Sequence, residues 1–404
     1  MHMPQTNGMS LLQSPIVMFL AKAFQTDPRP RQEAKSLVEA NCHVIVLAWD
    51  RECEFRRVEN VDGTVVVSLH HTRLKESKFA LAGGALIFQA LLVLESLRLV
   101  GKLHTRPIVH AHDFNTLVPA CLLRMLGLAS GLLYDVHELS FAAYDELFGP
   151  IMCATVRAIE NWCLKYPDAI ITVSDRLAGY LRREHEITEV VANCPRLQDI
   201  PKISKEAARA RLALPQDSFI VSSVGSIRYD SALDLLLSVA SRTSNEKISY
   251  VVVGGGPSAS EFKQKAMATA GTQLTISSAV PREVALTYVL ASDLTWAIYR
   301  NVGVNPRVTV PWKFYESLAC GVPVIVEGGT VRAELVKELE CGLVAESQEP
   351  SHITSLIRSI AENPDLHRAM CERARNAGML KYNWETMSGK LIGVYERLAQ
   401  LSNR

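Results

Sequence analysis

The sequence carries almost no net charge. Its 43 Lys and Arg stand against 42 Asp and Glu, leaving a formal +1 over 404 residues. That balance excludes the basic footprint of a nucleic-acid binder. Paired cysteine spacing is also missing: the nine cysteines are odd in number, scattered and without a CxxC. This excludes a disulfide framework and a cysteine zinc site, and the thiols read as reduced and mostly buried. The opening MHMPQTNGMSLLQS has no basic-then-apolar signal pattern, so the expectation is a cytoplasmic protein. No segment is low in complexity, and no loop reads GxGxxG or Walker A. The longest apolar run, Phe79 to Leu94, is interrupted by Gln89 and contains Gly83 and Gly84. With Glu95 and Arg98 close behind, it reads as a buried or membrane-surface helix rather than a spanning one.

What is present is alternation. At 48% hydrophobic and 21% charged residues the chain suits packed globular domains, and ~150 residues per domain suggests two or three. Short Val/Ile runs (PIVMFLA, HVIVLAW, TVVVSLH, PIVHAH, LLYDVHE, AIITVSD) alternate with helical stretches. Such runs predict parallel strands covered on both faces. The alternation pauses over residues 193–218, proline-bearing with one charged helix, which reads as an interdomain linker. It restarts with FIVSSVGS, ISYVVVGGG, LTISSAV, LTWAIY, PVIVEG and GLVAE. The fold class is therefore α/β, with two doubly wound, Rossmann-like domains. Their expected extents are 1–194, joined by a C-terminal helix 384–404, and 195–383.

Ligands of open parallel sheets lie beyond the carboxyl ends of the strands, so the residues there are the site candidates. After the first strand, Asp27 and two prolines suit a capped helix start, with Arg29 and Arg31 as a solvated basic end or a ligand loop. VHAHDFNTL puts His110 and His112 on one side of a strand, with Asp113 at its tip. An HxH pair suits zinc, but no third ligand is evident nearby in sequence. A structural role is preferred, and a histidine donating to a substrate hydroxyl is the other alternative. YDVHELS repeats the pattern with His137 and Glu138. In the second half Gly225 ends one strand and Gly254, Gly255 and Gly256 end the next, where backbone N–H groups can approach phosphate. PWKFYESLACGVPVIVEGG holds Lys313 and Glu316 one helical turn apart. Lys313 suits a phosphate and Glu316 a ribose diol; the bland alternative is an exposed i,i+3 ion pair worth ~0.2–0.5 kcal/mol.

Taken in order, DPRPRQEAKSLVEANCHVIVLAWDRE, IVHAHDFNTL, YDVHELS, PDAIITVSDRLAGYL, SVGSIRYDSALDLLL, VVVGGGP, ASDLTWAIY, PWKFYESLACGVPVIVEGG and NWETMSGKLIGVYERL resemble the GT-B-fold glycosyltransferases of family 4 over nearly the whole chain. The resemblance implies two Rossmann-like domains facing each other across a cleft. It implies a retaining, metal-independent transfer of a hexose-like sugar from a UDP- or GDP-sugar, without a cofactor, to a saccharide or lipid-linked acceptor. It gives Glu316 the ribose of the donor, His112 the transferred sugar, and Gly225 with Gly254 to Gly256 the diphosphate and nucleoside loops. Three positions depart from the family pattern: Val308 replaces the first glutamate of its Glu-x7-Glu motif, and Ser226 and Ser231 replace its diphosphate-binding cations. Arg228 and Lys313 are the cations expected to act on the diphosphate instead. The alternative these departures favour is a non-catalytic subunit that binds a partner transferase; another GT-B enzyme, such as a sugar-nucleotide epimerase, has no supporting motif. Lys75, Lys78, Arg98 and Lys102 flank the apolar run, so peripheral attachment to a membrane is also expected.

Overall fold

The computed structural model describes residues 12, 14–70, 78–182, 188–269, 273–300 and 303–402. The chain forms two compact units, Met1–Val191 with Ser388–Arg404, and Ala192–Met387. Both are Rossmann-like α/β domains.

Unit 1 is built on β1 (Ile16–Leu20), β2 (Val44–Trp49), β3 (Val58–Val61), β4 (Thr64–Leu69), β5 (Ile108–His112), β6 (Gly131–Val136), β7 (Ala169–Thr172) and β8 (Thr188–Val190). They form one sheet in the order β3-β4-β2-β1-β5-β6-β7-β8. β1, β2, β5 and β6 are buried at every position, which is why they read as unbroken apolar runs. Every pairing is parallel except β3 with β4. The sequence reading passed over that edge hairpin because Val58–Val61 is half polar. Its signal was the Asp62-Gly63 turn, where both residues take positive φ, 52° and 85°.

Unit 2 is built on β9 (Phe219–Val224), β10 (Ile248–Val253), β11 (Leu274–Ser277), β12 (Leu294–Trp296), β13 (Val324–Glu327) and β14 (Gly342–Ala345). All pairings are parallel, in the order β11-β10-β9-β12-β13-β14. The strand order reverses between β9 and β12 here and between β1 and β5 in unit 1. At such a switch point the connections leave to opposite sides and open a crevice at the carboxyl ends.

The stretch read as a linker is packed structure. Its helix Lys205–Arg211 carries Arg209, buried, whose Nε donates to the Ala291 carbonyl at 2.9 Å and whose guanidinium pairs with Asp293. Ala208 and Leu214 join the core of unit 2 beside Ile220 and Leu286. The packing of this charged helix was not visible locally because the buried partner of Arg209 lies 84 residues away.

The helix Lys78–Val100 contains the apolar run. Phe88 stacks on Trp49 of β2 with ring centroids 4.9 Å apart, and Phe88 and Leu92 are fully buried. The other face is bare: Leu86, Ile87, Leu94 and Leu97 are exposed, Leu86 by 68%. Only 22% of its most apolar 18-residue window, Gly83–Val100, is buried, though by length and composition that window could cross a membrane. Lys75 and the side chain of Lys78 lie outside the described residues.

Candidate functional site

Unit 2 gathers its candidates at its switch point. Helix Trp312–Cys320 begins beneath the ends of β9 and β12 and buries Lys313 to 8% exposure. The Lys313 ammonium lies 3.3 Å from the Ser223 hydroxyl of β9 and 5.3 Å from the ring centre of Tyr299, just past β12. A lysine with this little hydration and no carboxylate ion-pair partner among the described residues is a ready counter-charge for an anion. The side chain passes beside Gly225, where an added Cβ would stand 3.7 Å from its Cε.

Gly225 and Gly254 cap neighbouring strands and touch through their backbones. A Cβ on Gly254, which has φ +154°, would fall 1.8 Å from the Gly225 carbonyl oxygen. Gly256, at φ +139°, has the Ile227 carbonyl oxygen 2.6 Å from its Cβ position. Glycine is therefore required at 254 and 256 by close approach. Gly255 meets only Ala279, at 3.4 Å.

Glu316 stands one turn past Lys313 and is 14% exposed. It does not form the exposed pair with Lys313 that the bland reading offered. Its Oε1 is 2.8 Å from Arg282 Nη1, and the Arg282 guanidinium lies over Trp312, 5.3 Å from the ring centre. Burial raises the Glu316 carboxyl above its ordinary range, with Arg282 opposing. Arg228 is 64% exposed and pairs with Asp230 at 3.2 Å. Ser231 accepts from the Arg228 amide at 3.2 Å and donates to the Ser226 carbonyl at 3.3 Å, so this serine shapes the loop and adds no charge. Val308 is buried.

In unit 1 the switch point holds a pocket of about 140 Å³ lined among others by Lys22, Arg51, Asp113, Asn115, His137 and Tyr144. His112 borders it but is only 3% exposed, and both ring nitrogens turn to the interior. The parallel register pairs His112 with Asp135 across β5 and β6, and Nδ1 lies 3.2 Å from Asp135 Oδ2. Nε2 faces Glu33 Oε2 at 3.7 Å. With both nitrogens turned to Asp135 and Glu33, His112 meets the pocket with little of its surface. Asp135 passes the contact on to His137, whose Nε2 is 2.8 Å away, and His137 Nδ1 is 3.1 Å from Asp113.

The charges here are set by pairing against burial. Burial opposes charge on His137, but Asp113 and Asp135 outweigh it and hold the ring well above the ordinary histidine range. Burial likewise works against the Asp135 carboxylate, and Arg29 and His137 together hold it well below the ordinary range. Burial lowers His112, which stays neutral.

Arg29 corrects another expectation. Asp27 does cap the helix Pro28–Glu39, accepting from the Arg29 amide at 3.3 Å, and Arg31 is solvated. Arg29, however, is buried and donates to both Asp135 oxygens at 2.8 Å and to the Val191 carbonyl at 2.7 Å. Glu33, Asp135 and Arg282 were all passed over. Asp135 had a signal, a lone acid in the apolar run LLYDV. Glu33 had none, because its helix is richly charged, and Arg282 had none, because a basic residue at a helix start is unremarkable.

Comparison with known proteins agrees with this architecture. The pattern of the family described as "Glycosyl transferases group 1" matches residues 204–377, and that of "Glycosyl transferase 4-like domain" matches residues 27–194. The fold and these matches define a GT-B glycosyltransferase architecture. The chain belongs to the glycosyl transferases of group 1, family 4. A curated relative, D-inositol 3-phosphate glycosyltransferase of Thermomonospora curvata, is 25% identical over 199 residues, 47% of this chain and 45% of the relative. The chain spans about half the length of such relatives. Among solved structures, sucrose-phosphate synthase from Thermosynechococcus elongatus superposes with TM-score 0.76 at 19% identity, covering 96% of this chain and 99% of that one. Anabaena HepE in complex with UDP-glucose superposes with TM-score 0.71 at 13% identity, covering 95% and 99%.

Proposed function

We propose that this protein is a retaining glycosyltransferase that takes a sugar from a UDP- or GDP-sugar and passes it to a saccharide or lipid-linked acceptor. One observation carries the proposal: Lys313, Gly225 and the Gly254–Gly256 loop meet at the switch point of unit 2, with Glu316 one turn away. A nucleoside diphosphate has the matching parts. Its ribose hydroxyls donate to the Glu316 carboxylate, exchanging for Arg282, and its diphosphate meets the Lys313 ammonium and glycine-loop amides. Arg228, on an exposed loop, supplies a second charge to the leaving diphosphate. The family membership and the UDP-glucose complex of HepE support the donor class.

On this reading unit 1 takes the acceptor. Asp113, exposed by about a third, and His137 present the hydrogen-bonding edge of its pocket, while His112 positions them through Asp135. The departing diphosphate accepts the acceptor's proton, so no protein base and no metal on the diphosphate is assigned. The bare apolar face of helix Lys78–Val100 suits a peripheral place on the cytoplasmic side of a membrane, close to a lipid-linked acceptor.

Isothermal titration with UDP and GDP tests the proposal. One of them should bind, and E316A should weaken it at least about tenfold, because two charge-assisted hydrogen bonds are lost. No binding of either nucleotide, or unchanged affinity in a folded E316A, would contradict it.

A further inference from the structure

The interior of unit 1 contains an arrangement that sugar transfer does not explain. His110 and His112 project from the same side of β5, their rings stacked with centroids 4.1 Å apart and tilted by 26°. Glu33 comes from helix Pro28–Glu39, 77 residues before the first of them in the chain. Its Oε2 lies 4.0 Å from His110 Nε2 and 3.7 Å from His112 Nε2. All three side chains are at least 97% buried. Each of these three atoms lacks a hydrogen-bond partner, although each points at the others. The distances exceed those of a hydrogen bond.

The other edge of each side chain is already engaged. His112 Nδ1 faces Asp135, which only accepts, so that nitrogen carries the proton and Nε2 presents a lone pair. His110 Nδ1 is 2.8 Å from the Tyr395 hydroxyl. Glu33 Oε1 is 3.1 Å from Arg29 Nε, which leaves Oε2 free to face the histidines. Carboxylate, hydroxyl and guanidinium partners behind the ligating atoms are what hold imidazole and carboxylate ligands in place around a metal.

We infer that Glu33, His110 and His112 form a divalent-cation site, with zinc the best-suited ion, in the interior of unit 1. Two imidazoles and a carboxylate are a donor set zinc accepts, and two histidines separated by one residue on a strand present neighbouring Nε2 atoms. A tetrahedral ion with bonds of ~2.0–2.1 Å holds its ligand atoms ~3.3–3.4 Å apart. The observed 3.7 and 4.0 Å reach that spacing with side-chain shifts of a few tenths of an ångström. The Asp135 carboxylate, within 4.8 Å of the other ligating atoms, orients His112 and balances the ion's charge. An ion bound by all three atoms satisfies each of them at once.

Such an ion fastens helix Pro28–Glu39 to β5. It fixes the His112 ring and, through Asp135, the His137 edge of the pocket. It belongs to unit 1 and takes no part on the diphosphate. The sequence hinted at it only through the HxH pair, because the third ligand comes from a distant helix.

The test is metal content. The full-length protein and its E33Q and H110Q variants are produced in zinc-supplemented medium, gel-filtered, and assayed by inductively coupled plasma mass spectrometry. The wild type is expected to carry about one zinc per chain, and folded E33Q and H110Q less than about a tenth of that. A cobalt-loaded wild type should show the visible bands of a nitrogen and oxygen site without thiolate charge transfer, which separates it from adventitious binding at cysteine. If one glutamine variant fails to fold, the other and the cobalt spectrum still decide. A wild type without stoichiometric metal, a thiolate spectrum, or variants that keep their zinc would overturn the inference and leave a metal-free hydrogen-bonded cluster.

Discussion

Replacing Arg29 with methionine removes the one guanidinium that bridges helix Pro28–Glu39 to β6. The hydrogen bonds at 2.8 Å to both Asp135 oxygens and at 2.7 Å to the Val191 carbonyl are lost, with the 3.1 Å ion pair to Glu33, and methionine fills most of the vacated volume. Asp135 is then left fully buried with His137 and His112 as its remaining partners. Breaking a buried pair from one side typically costs about 3–5 kcal/mol, and His137 partly compensates, so the lower end, about 3 kcal/mol, is expected. That is a large share of the ~5–15 kcal/mol that holds an ordinary domain. Urea denaturation followed by hydrogen exchange of Gly131–Val136 reads the loss in unit 1 directly. R29K keeps the charge without the planar fork and should fall between wild type and R29M. R29M/D135N should cost less than the two single changes added together, because position 135 then carries no uncompensated charge. A loss under ~0.5 kcal/mol for R29M, or strict additivity in the double variant, would refute the reasoning.

Three further outcomes follow from particular contacts. G254A places a methyl group against the Gly225 carbonyl oxygen and should lower both stability, by more than about 1 kcal/mol, and nucleotide affinity; G255A should cost stability under ~0.5 kcal/mol, and equal costs would sink the close-approach argument. Because burial raises the Glu316 carboxyl, protonation reaches it at a higher pH than an ordinary glutamate. Nucleotide affinity should therefore begin to fall at a higher pH than an ordinary glutamate would allow as the pH is lowered from neutral, and the slope attributable to Glu316 should disappear in E316Q; an identical pH profile for E316Q would contradict the assignment. At low salt the protein should sediment with anionic liposomes, less so at high salt, and L86E/L94E should remain in the supernatant; a wild type wholly in the supernatant at low salt ends the membrane proposal.

The layered architecture was legible because buried parallel strands have to be apolar at both faces, and runs such as HVIVLAW admit little else. The glycines at 225, 254 and 256 were legible because the strand-to-helix turn is where backbone approach matters. Pairing was not legible. Nothing local distinguishes Arg29, which is buried against Asp135, from Arg31, which is solvated two residues later. His112 was singled out correctly as a residue of the β5 tip, but the direction of its ring depends on Asp135 across the sheet and Glu33 on another helix. Glu316 drew attention by its place in PWKFYESLACG, whereas its partner Arg282 lies 34 residues earlier on a helix that carries no local mark. Side-chain partners are long-range facts, and a single sequence records each partner without recording the pair.

The most direct test of the central claim is donor turnover followed by proton NMR. The purified protein is incubated with a panel of UDP- and GDP-sugars, with and without candidate saccharide and lipid-linked acceptors. The account predicts release of nucleoside diphosphate from at least one donor, transfer or slow hydrolysis with the anomeric configuration of the donor retained, and strong loss in K313A as diphosphate charge goes unmet. Inverted configuration would contradict the retaining assignment. An absence of turnover from every donor, together with no UDP or GDP binding, would contradict the enzyme itself and leave the non-catalytic subunit in its place.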